Sequence, residues 1–495
     1  MAPRNDSALW TGLIRLQAES AQTLQAQIRQ AIVSAILDHQ ISPTIPLPSC
    51  RVLADRLGVA RGTVVLAFQQ LVDQGFLVSR QRRGHFVNPG ILASPTLQAQ
   101  PPPSRRIDWT ARRQINARHF PAPIQHKKWV DEPYPFVYGQ FDQSLFPTAE
   151  WRECTRMALA VLEIRNWAAD RVDLDDPLLV EQIQARLLPR RGIFAKPEEI
   201  MISLGAQHGL FMLASMLAHR GMKVAVEDPG YPDARSIFSV VGAEIVPVRI
   251  DAEGIDVDAI PADVGMVFVT PSHQSPTMVT LSDRRRRALL AAAEKNDWII
   301  VEDDYDSQLI DAKPKQALRG MDHTGRVIYL GSMSKTFAPG LRTGYMVAPA
   351  ELIAELRAYR RIMLCHPPTN NQRAVALFLS LGHHDALVRR ISTVYEERRQ
   401  KLLNAVRRHM PQWQTCDIPG ATALWIKGPS GIDTETLSEQ AARHGVIITP
   451  GARFFDKPML PCPYMRLGIS SIQATQIEPG IRELAKVAER CLATA

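Results

Sequence analysis

Lys335 closes the run "GSMSK", with hydroxyls at Ser332 and Ser334 just before it and Arg342 seven positions on. A lysine drawn partly out of water loses basicity and can condense with an aldehyde. A guanidinium beside two hydroxyls can hold a phosphate. Upstream, "WIIVEDDYD" carries Asp303 where an apolar run ends, and Tyr305 two residues on, on the same face of a strand. A carboxylate buried there demands a cationic partner, and a protonated pyridine nitrogen is one. In "ISLGAQHGLFML" an apolar run gives way to Gly205, Ala206 and Gln207 and then to a helical pattern. Free amides at such a turn bind anions. Tyr231, in "EDPGYPDAR", offers a flat ring on which a heteroaromatic plane can stack.

Amine, acid, phenol, anion nest, guanidinium and aromatic face are the set that pyridoxal 5′-phosphate (PLP) requires. Singly, each has an ordinary reading. A lysine after a strand is commonly solvated, and an Asp-Asp-Tyr-Asp run is commonly a loop or an acidic cluster. In this order they point to one covalent cofactor site hooked on Lys335. No metal site is expected. Cys50, Cys154, Cys365, Cys416, Cys462 and Cys491 are scattered without C-x-x-C spacing, which fits reduced thiols rather than a disulfide framework or a zinc site.

Such a site needs a scaffold that gathers distant segments. "MKVAVEDPGY", "MVFVTPSHQ", "WIIVEDDYD" and "RVIYLGSMSK" share one design, a short apolar run ending in polar or glycine-rich sequence, with helical stretches such as "DRRRRALLAAAEKN" between them. That predicts an α/β domain with a mostly parallel, buried sheet. In such sheets ligands bind beyond the carboxyl ends of the strands, so the polar strand ends should converge.

The N-terminal quarter reads differently. "LQAQIRQAIVSAIL" places Leu24, Ile28, Ile32 and Ile36 on one helical face; "PSCRVLADRLG" and "VARGTVVLAFQQLVDQG" follow as two helices a few residues apart, the latter with Val64, Phe68 and Leu71 inward. "FLVSRQRRGHFV" then alternates around a tight turn. Helix-turn-helix plus basic hairpin is a winged helix. It would present Arg61, Gly62 and Thr63 to a major groove, Arg51 to a phosphate, and a wing tip of Arg82, Arg83, Gly84 and His85 to backbone or minor groove. A protein-interaction module with solvated arginines is the alternative. Charge follows the same division: residues 1–130 hold 16 Lys+Arg against 6 Asp+Glu, the remainder 42 against 44. A basic head on a neutral body suits double-stranded DNA as partner, although a solvated basic tail shows the same excess.

At 495 residues, 45% apolar and 22% charged, the chain is expected to form two or three globular domains. No apolar run approaches the ~18 residues of a membrane helix, and "MAPRNDSALW" has no signal pattern; no membrane partner and a cytoplasmic location are expected. The expected boundaries are 12–88 for the DNA-binding domain, 89–130 for a proline-rich, basic linker around Pro101-Pro102-Pro103, and 131–495 for the cofactor domain.

Residues ~22–88, with "LPSCRVLADRLGVARGTVVLAFQQLVDQGFLVSRQRRGHFV", resemble the GntR-type winged helix. "ISPTIPLPS" departs from that family, which usually has Pro-Gly before the Leu-Pro-Ser. Residues ~135–490 resemble fold-type I PLP-dependent aminotransferases through "SLGAQ", "EDPGYPDAR", "VTPSHQSPT", "IIVEDDYDS", "GSMSKTFAPGLRTGY" and "YMRLGIS". The whole is similar to the MocR/GabR family of regulators. The resemblance implies a fold-type I domain with a smaller C-terminal α/β subdomain. Lys335 is then the internal-aldimine lysine, Asp303 the partner of the pyridine nitrogen, Tyr305 that of the ring hydroxyl and Arg342 that of the phosphate. Arg466 then holds an effector carboxylate, a surface ion pair being the alternative. A head-to-tail homodimer and a small amino-compound effector that alters DNA binding are implied as well. The competing reading is a working aminotransferase with an accessory DNA-binding arm; a third is a DNA-binding protein whose large domain only dimerises.

Three departures stand out. Ser275-Pro276-Thr277-Met278 replaces the usual Asn-Pro-Thr-Gly, with His273 and Gln274 as nearby substitutes for the absent Asn. "DRVDLDDPLLVEQIQARL" replaces the usual Tyr-Gly-Asp-Pro stretch. Cys365 and His366 have no assigned role; a Cys-His nucleophile is disfavoured because adjacent residues point apart.

Overall fold

The computed structural model describes residues 10, 12–17, 22–92, 107–120, 129–170, 173–306 and 315–493. The chain divides into two compact units, Met1–Arg112 and Arg113–Ala495. Of the expected linker, residues 93–106 and 121–128 lie outside the described residues. Single helical turns at Pro89–Leu92 and Trp109–Arg112 occupy part of the stretch expected to be extended.

The first unit holds α1 (Leu24–Leu37), α2 (Cys50–Leu57), α3 (Arg61–Asp73) and a hairpin of β1 (Leu77–Arg80) and β2 (Gly84–Val87). Thr23 and Ser49 start α1 and α2 by accepting from the amides of Ala26 and Val52. Gly58, at φ +64°, ends α2 and turns the chain toward α3. Ile28, Ile32 and Ile36 pack with Leu53, Val64, Phe68 and Leu71 in one core. Leu24, expected on that face, is 41% exposed at the first residue of α1 and does not join that core. Trp10 and Ile14 enter the same core. The hairpin pairs Leu77 with Val87 and Arg80 with Gly84, and its turn places Arg82 at φ +59°.

The second unit holds β3 (Tyr134–Pro135), β4 (Ile200–Ser203), β5 (Lys223–Asp228), β6 (Glu244–Asp251), β7 (Gly254–Ile255), β8 (Met266–Val269), β9 (Ile299–Asp304), β10 (Val327–Ser332), β11 (Gly344–Val347), β12 (Gln414–Thr415), β13 (Ala423–Lys427), β14 (Val446–Ile447), β15 (Thr449–Pro450) and β16 (Tyr464–Gly468). Its large sheet runs β4-β11-β10-β9-β8-β5-β6-β7. The five strands from β10 to β6 are parallel, and β11 is antiparallel to both neighbours. Alternate residues feed opposite faces. Val224 and Val226 join the cluster under helices Ala206–Leu217 and Ala350–Leu364, while Ala225 joins the cluster under helix Asp283–Asn296. These faces exclude water on both sides, which is why the strands read as continuous apolar runs.

A smaller antiparallel sheet, β12-β13-β16-β15, lies with helices His383–His409, Thr434–Ala442 and Ala474–Ala493. The chain entering the unit is stitched to it. β3 pairs with β14, the Gly468 amide donates to the Phe136 carbonyl at 3.0 Å, and the Ser471 hydroxyl lies 3.0 Å from the carbonyls of Pro135 and Val137.

Candidate functional site

Residues at or just beyond the carboxyl ends of β4, β5, β8, β9 and β10 open onto one cavity of about 320 Å³. Of the residues singled out from sequence, Lys335, Asp303, Tyr305, Ser332, Ser334, Arg342, Ala206, Gln207, Tyr231 and Arg466 line it. Gly205 does not; it stands behind Arg342. At φ +83° a side chain there is strained, and its Cβ would fall 3.1 Å from the Arg342 guanidinium.

The Lys335 ammonium donates to the Gly139 carbonyl at 3.3 Å and lies 4.9 Å above the Tyr138 ring. Burial, helped by the Arg466 charge, brings its pKa down to about 8 against the pull of Asp306 and Asp303. Asp303 is 6% exposed, and among the described residues its Oδ1 has no hydrogen-bond partner. Burial pushes its pKa up to about 8, reinforced by Asp304 and Asp306 and opposed by Lys335. An orphaned carboxylate oxygen on the cavity wall fits a cationic ring nitrogen. The donor set of the cavity therefore suits PLP.

The other groups hold fixed positions. Arg342 adopts the left-handed conformation at φ +50°, unusual for a long side chain, and donates to the Leu204 carbonyl at 2.9 Å. The Ser334 amide donates to the Ser332 hydroxyl at 3.2 Å. The Tyr305 phenol donates to the His273 carbonyl at 2.9 Å, and the Tyr231 phenol to Asp233 at 3.1 Å. Arg466 lines the cavity and, among the described residues, makes no ion pair. Its guanidinium lies 4.0 Å from the centre of the Tyr138 ring and 4.7 Å from that of Phe454, with Nε unpartnered. Burial lowers its pKa. A cation held between two rings keeps donors for an anionic ligand.

Two expected substitutes for the missing Asn turn away. His273 pairs with Asp306 at 3.1 Å, and the Gln274 amide donates to Glu227, to Pro229 and to the Ser275 carbonyl. Neither lines the cavity; Ser275 and Thr270 do. Cys365 is exposed, while His366 spends its ring nitrogens on Asp170 and the Pro367 carbonyl. In the altered stretch before helix Pro177–Gln182, Asp175 and Asp176 are consumed by Arg360 and Arg373. Sequence reasoning missed Tyr138, Gly139, Gln140, Asp233, Thr449, Arg453 and Phe454, all on the cavity wall. Asp233 opens the helix Pro232–Val240 within the quoted "EDPGYPDAR" and Thr449 begins β15, whereas Tyr138, Gly139 and Gln140 lie in a loop without period or motif.

On the first unit Arg51, Arg61, Gly62, Arg82, Arg83 and Gly84 are exposed and Thr63 is half-buried. His85 is half-exposed in β2. Its ring meets Phe68 edge-on at 5.2 Å, its Nδ1 is buried and burial lowers its pKa. In β2 it sits between exposed Gly84 and buried Phe86.

A winged helix and an aminotransferase scaffold on one chain define a transcription regulator that has borrowed an enzyme's fold. Residues 24–87 match the GntR family of bacterial regulatory proteins and residues 169–478 match aminotransferase class I and II. The chain is 42% identical over 467 residues to the HTH-type transcriptional regulator TauR of Rhodobacter capsulatus, covering 94% of this chain and 96% of that protein. It is 31% identical over 420 residues to the HTH-type pyridoxine biosynthesis transcriptional regulator PdxR of Corynebacterium glutamicum, covering 84% and 85%. The crystal structure of a multiple substrate aminotransferase from Thermococcus profundus aligns with TM-score 0.69 at 26% identity, covering 79% of this chain and 100% of that one. The chain belongs to the MocR-type family of GntR helix-turn-helix regulators with an aminotransferase domain.

Proposed function

We propose that the chain binds PLP through Lys335, that a small amino compound displaces this attachment, and that the exchange alters binding of the winged helix to an operator. The carrying observation is the pairing, in one cavity, of a lysine with lowered pKa and a carboxylate with an orphaned oxygen. When bound, PLP supplies an aldehyde that exchanges one amine for another. Lys335, at about 8, keeps a share of neutral, nucleophilic amine near neutral pH. Asp303 sets its charge against the ring nitrogen and Tyr305 faces the ring hydroxyl. Tyr231 gives the stacking surface. Arg342, with Ser332, Ser334 and the amides of the Gly205–Gln207 turn, holds the phosphate. Arg466 receives the carboxylate or other anionic head of the effector.

An effector moves DNA affinity only by binding two states of the protein differently. The reading places DNA binding in 12–88, the tether in 89–130 and sensing in 131–495, in a head-to-tail homodimer acting in the cytoplasm. Among the described residues no helix is long and apolar enough to cross a membrane.

Reductive trapping of the PLP-loaded chain, followed by peptide mass mapping, tests the core of this reading. The pyridoxyl mass is expected on Lys335. Its appearance on another lysine, or unchanged labelling of Lys335→Ala, refutes the assignment. The competing reading, an active aminotransferase, is favoured by the presence of Lys335 and Arg466 in the same cavity. Sustained oxo-acid formation from an amino donor and an oxo-acid acceptor would decide for it.

A further inference from the structure

α3 carries two opposite faces with the same spacing. Val64, Ala67, Phe68 and Leu71 are buried in the core of the first unit. Gly62, Val65, Leu66 and Gln69 repeat that i, i+3, i+4, i+7 pattern on the other side. A solvated helix face is ordinarily polar. This one has an apolar centre, with Val65 41% and Leu66 56% exposed. Gln69 is drawn toward the far end of the helix, where its amide donates to Asp73 at 2.9 Å.

Gly62 is unexplained by the fold. It is the second residue of α3, no positive φ calls for glycine, and a Cβ there would meet nothing within 4 Å. Glycine has a lower helix propensity than alanine. What it provides is close approach of another molecule to the helix backbone, beside an apolar strip, Val65 and Leu66, that begins four residues after Arg61. Exposed cations of the unit, among them Arg51, Arg61, Arg82 and Arg83, suit a negatively charged molecule.

We infer that Val65 and Leu66 read thymine 5-methyl groups in the major groove of the operator, with Gly62 admitting the base edges. In that groove the thymine methyl is the apolar feature that separates base pairs. Side chains without donors or acceptors can discriminate there only through it. The inference rests on the DNA-binding reading of α3 and deepens it: beyond Arg61, recognition is apolar and favours A·T positions.

The test starts from duplexes that the full-length chain selects from a randomised pool. The selected duplex is resynthesised with deoxyuridine for thymidine, one position at a time, which keeps the base pair and removes the methyl alone. Wild-type affinity is expected to fall about four-fold at each contacted methyl. Leu66→Ala and Val65→Ala, both at exposed sites, should bind the thymine duplex more weakly and lose the uracil response at matching positions. Gly62→Ala should melt no earlier than wild type and yet bind DNA less tightly. Indifference of the wild-type chain to uracil at every position overturns the inference while leaving DNA binding intact. A Leu66→Ala variant that changes its state of association but keeps the uracil response also overturns it, making the strip a protein contact. Failure to enrich any duplex removes the DNA reading and this inference together.

Discussion

Asp303→Asn should separate two effects of opposite sign. Asp303 is buried, its Oδ1 lacks a partner, and the charges of Asp304 and Asp306 act against it. In the cofactor-free protein such an oxygen costs about 1–3 kcal/mol. Near neutral pH this carboxyl must take up a proton on folding, whereas an amide of nearly the same shape needs none, so the cofactor-free large unit should gain at least on the order of 1 kcal/mol. With PLP bound the sign reverses. A charge-assisted hydrogen bond to the ring nitrogen is worth about 1.5–3 kcal/mol, which is about 10- to 150-fold in PLP affinity. The pH dependence has a definite sign too. The folded carboxyl keeps its proton up to about 8, whereas the unfolded one loses it near ~4. The native state therefore binds more protons between those values. Stability falls as pH rises through that window, by at most about 1.4 kcal/mol per pH unit from this group. Glu227 and Glu302, each pushed up to about 7 by burial, add slopes of the same sign, so the substitution reduces the slope without abolishing it. Calorimetry of the large unit's transition with and without PLP reads all three effects. The cofactor-free transition should rise, and the increment from PLP should shrink. An equal loss of stability in both forms, with the PLP increment unchanged, would refute the reasoning and make Asp303 a residue of the fold.

Three further outcomes are expected. The rate at which PLP is captured, followed by absorbance in stopped flow, should climb with pH through about 8 and then level off, because that is where the Lys335 amine loses its proton; a rise that continues toward lysine's ordinary ~10.4 would place the amine in open solvent. Arg191→Ala breaks a buried pair with Asp304 at 2.8 Å and a bond to Ser272 at 2.7 Å, so urea unfolding should show a loss of about 3–5 kcal/mol, and a loss under about 1 kcal/mol would contradict burial of that charge. Joint replacement of Arg82 and Arg83 by Ala should lower the slope of log affinity against log salt by about 0.9 per lost phosphate contact with little change in sequence preference, whereas His85→Ala should lower the melting temperature of the first unit and leave the salt slope in place.

What the sequence made legible follows from what leaves a local trace. The buried parallel strands announced themselves as apolar runs because both faces of the sheet are covered, and their polar ends marked Asp303, Ser332 and Lys335 at once. The helix-turn-helix spacing was visible through Ser49 and Gly58, whose capping roles are local. Tyr138 and Arg453 left no such trace. Their place at the cavity comes from tertiary packing of loops on the smaller sheet. The contact of the His85 ring with Phe68 left no trace in the basic run around it, because it joins β2 to a helix residue 17 positions earlier. His273 and Gln274 were chosen for proximity in sequence, and buried Asp306 and Glu227 claim them first.

The hydrogen bond between Lys335 and the Gly139 carbonyl spans 196 residues of sequence, and Arg466, over the Tyr138 ring, brings in the far end of the chain. Contacts of such long range pay their closure entropy before they return anything, so they form late in folding. A nascent chain that has passed Lys335 but has yet to add β16 holds the lysine without Arg466 above it. Any ligand that needs both Lys335 and Arg466 is therefore linked to the finished fold, and a ribosome-bound or truncated molecule that lacks β16 offers it only part of the cavity.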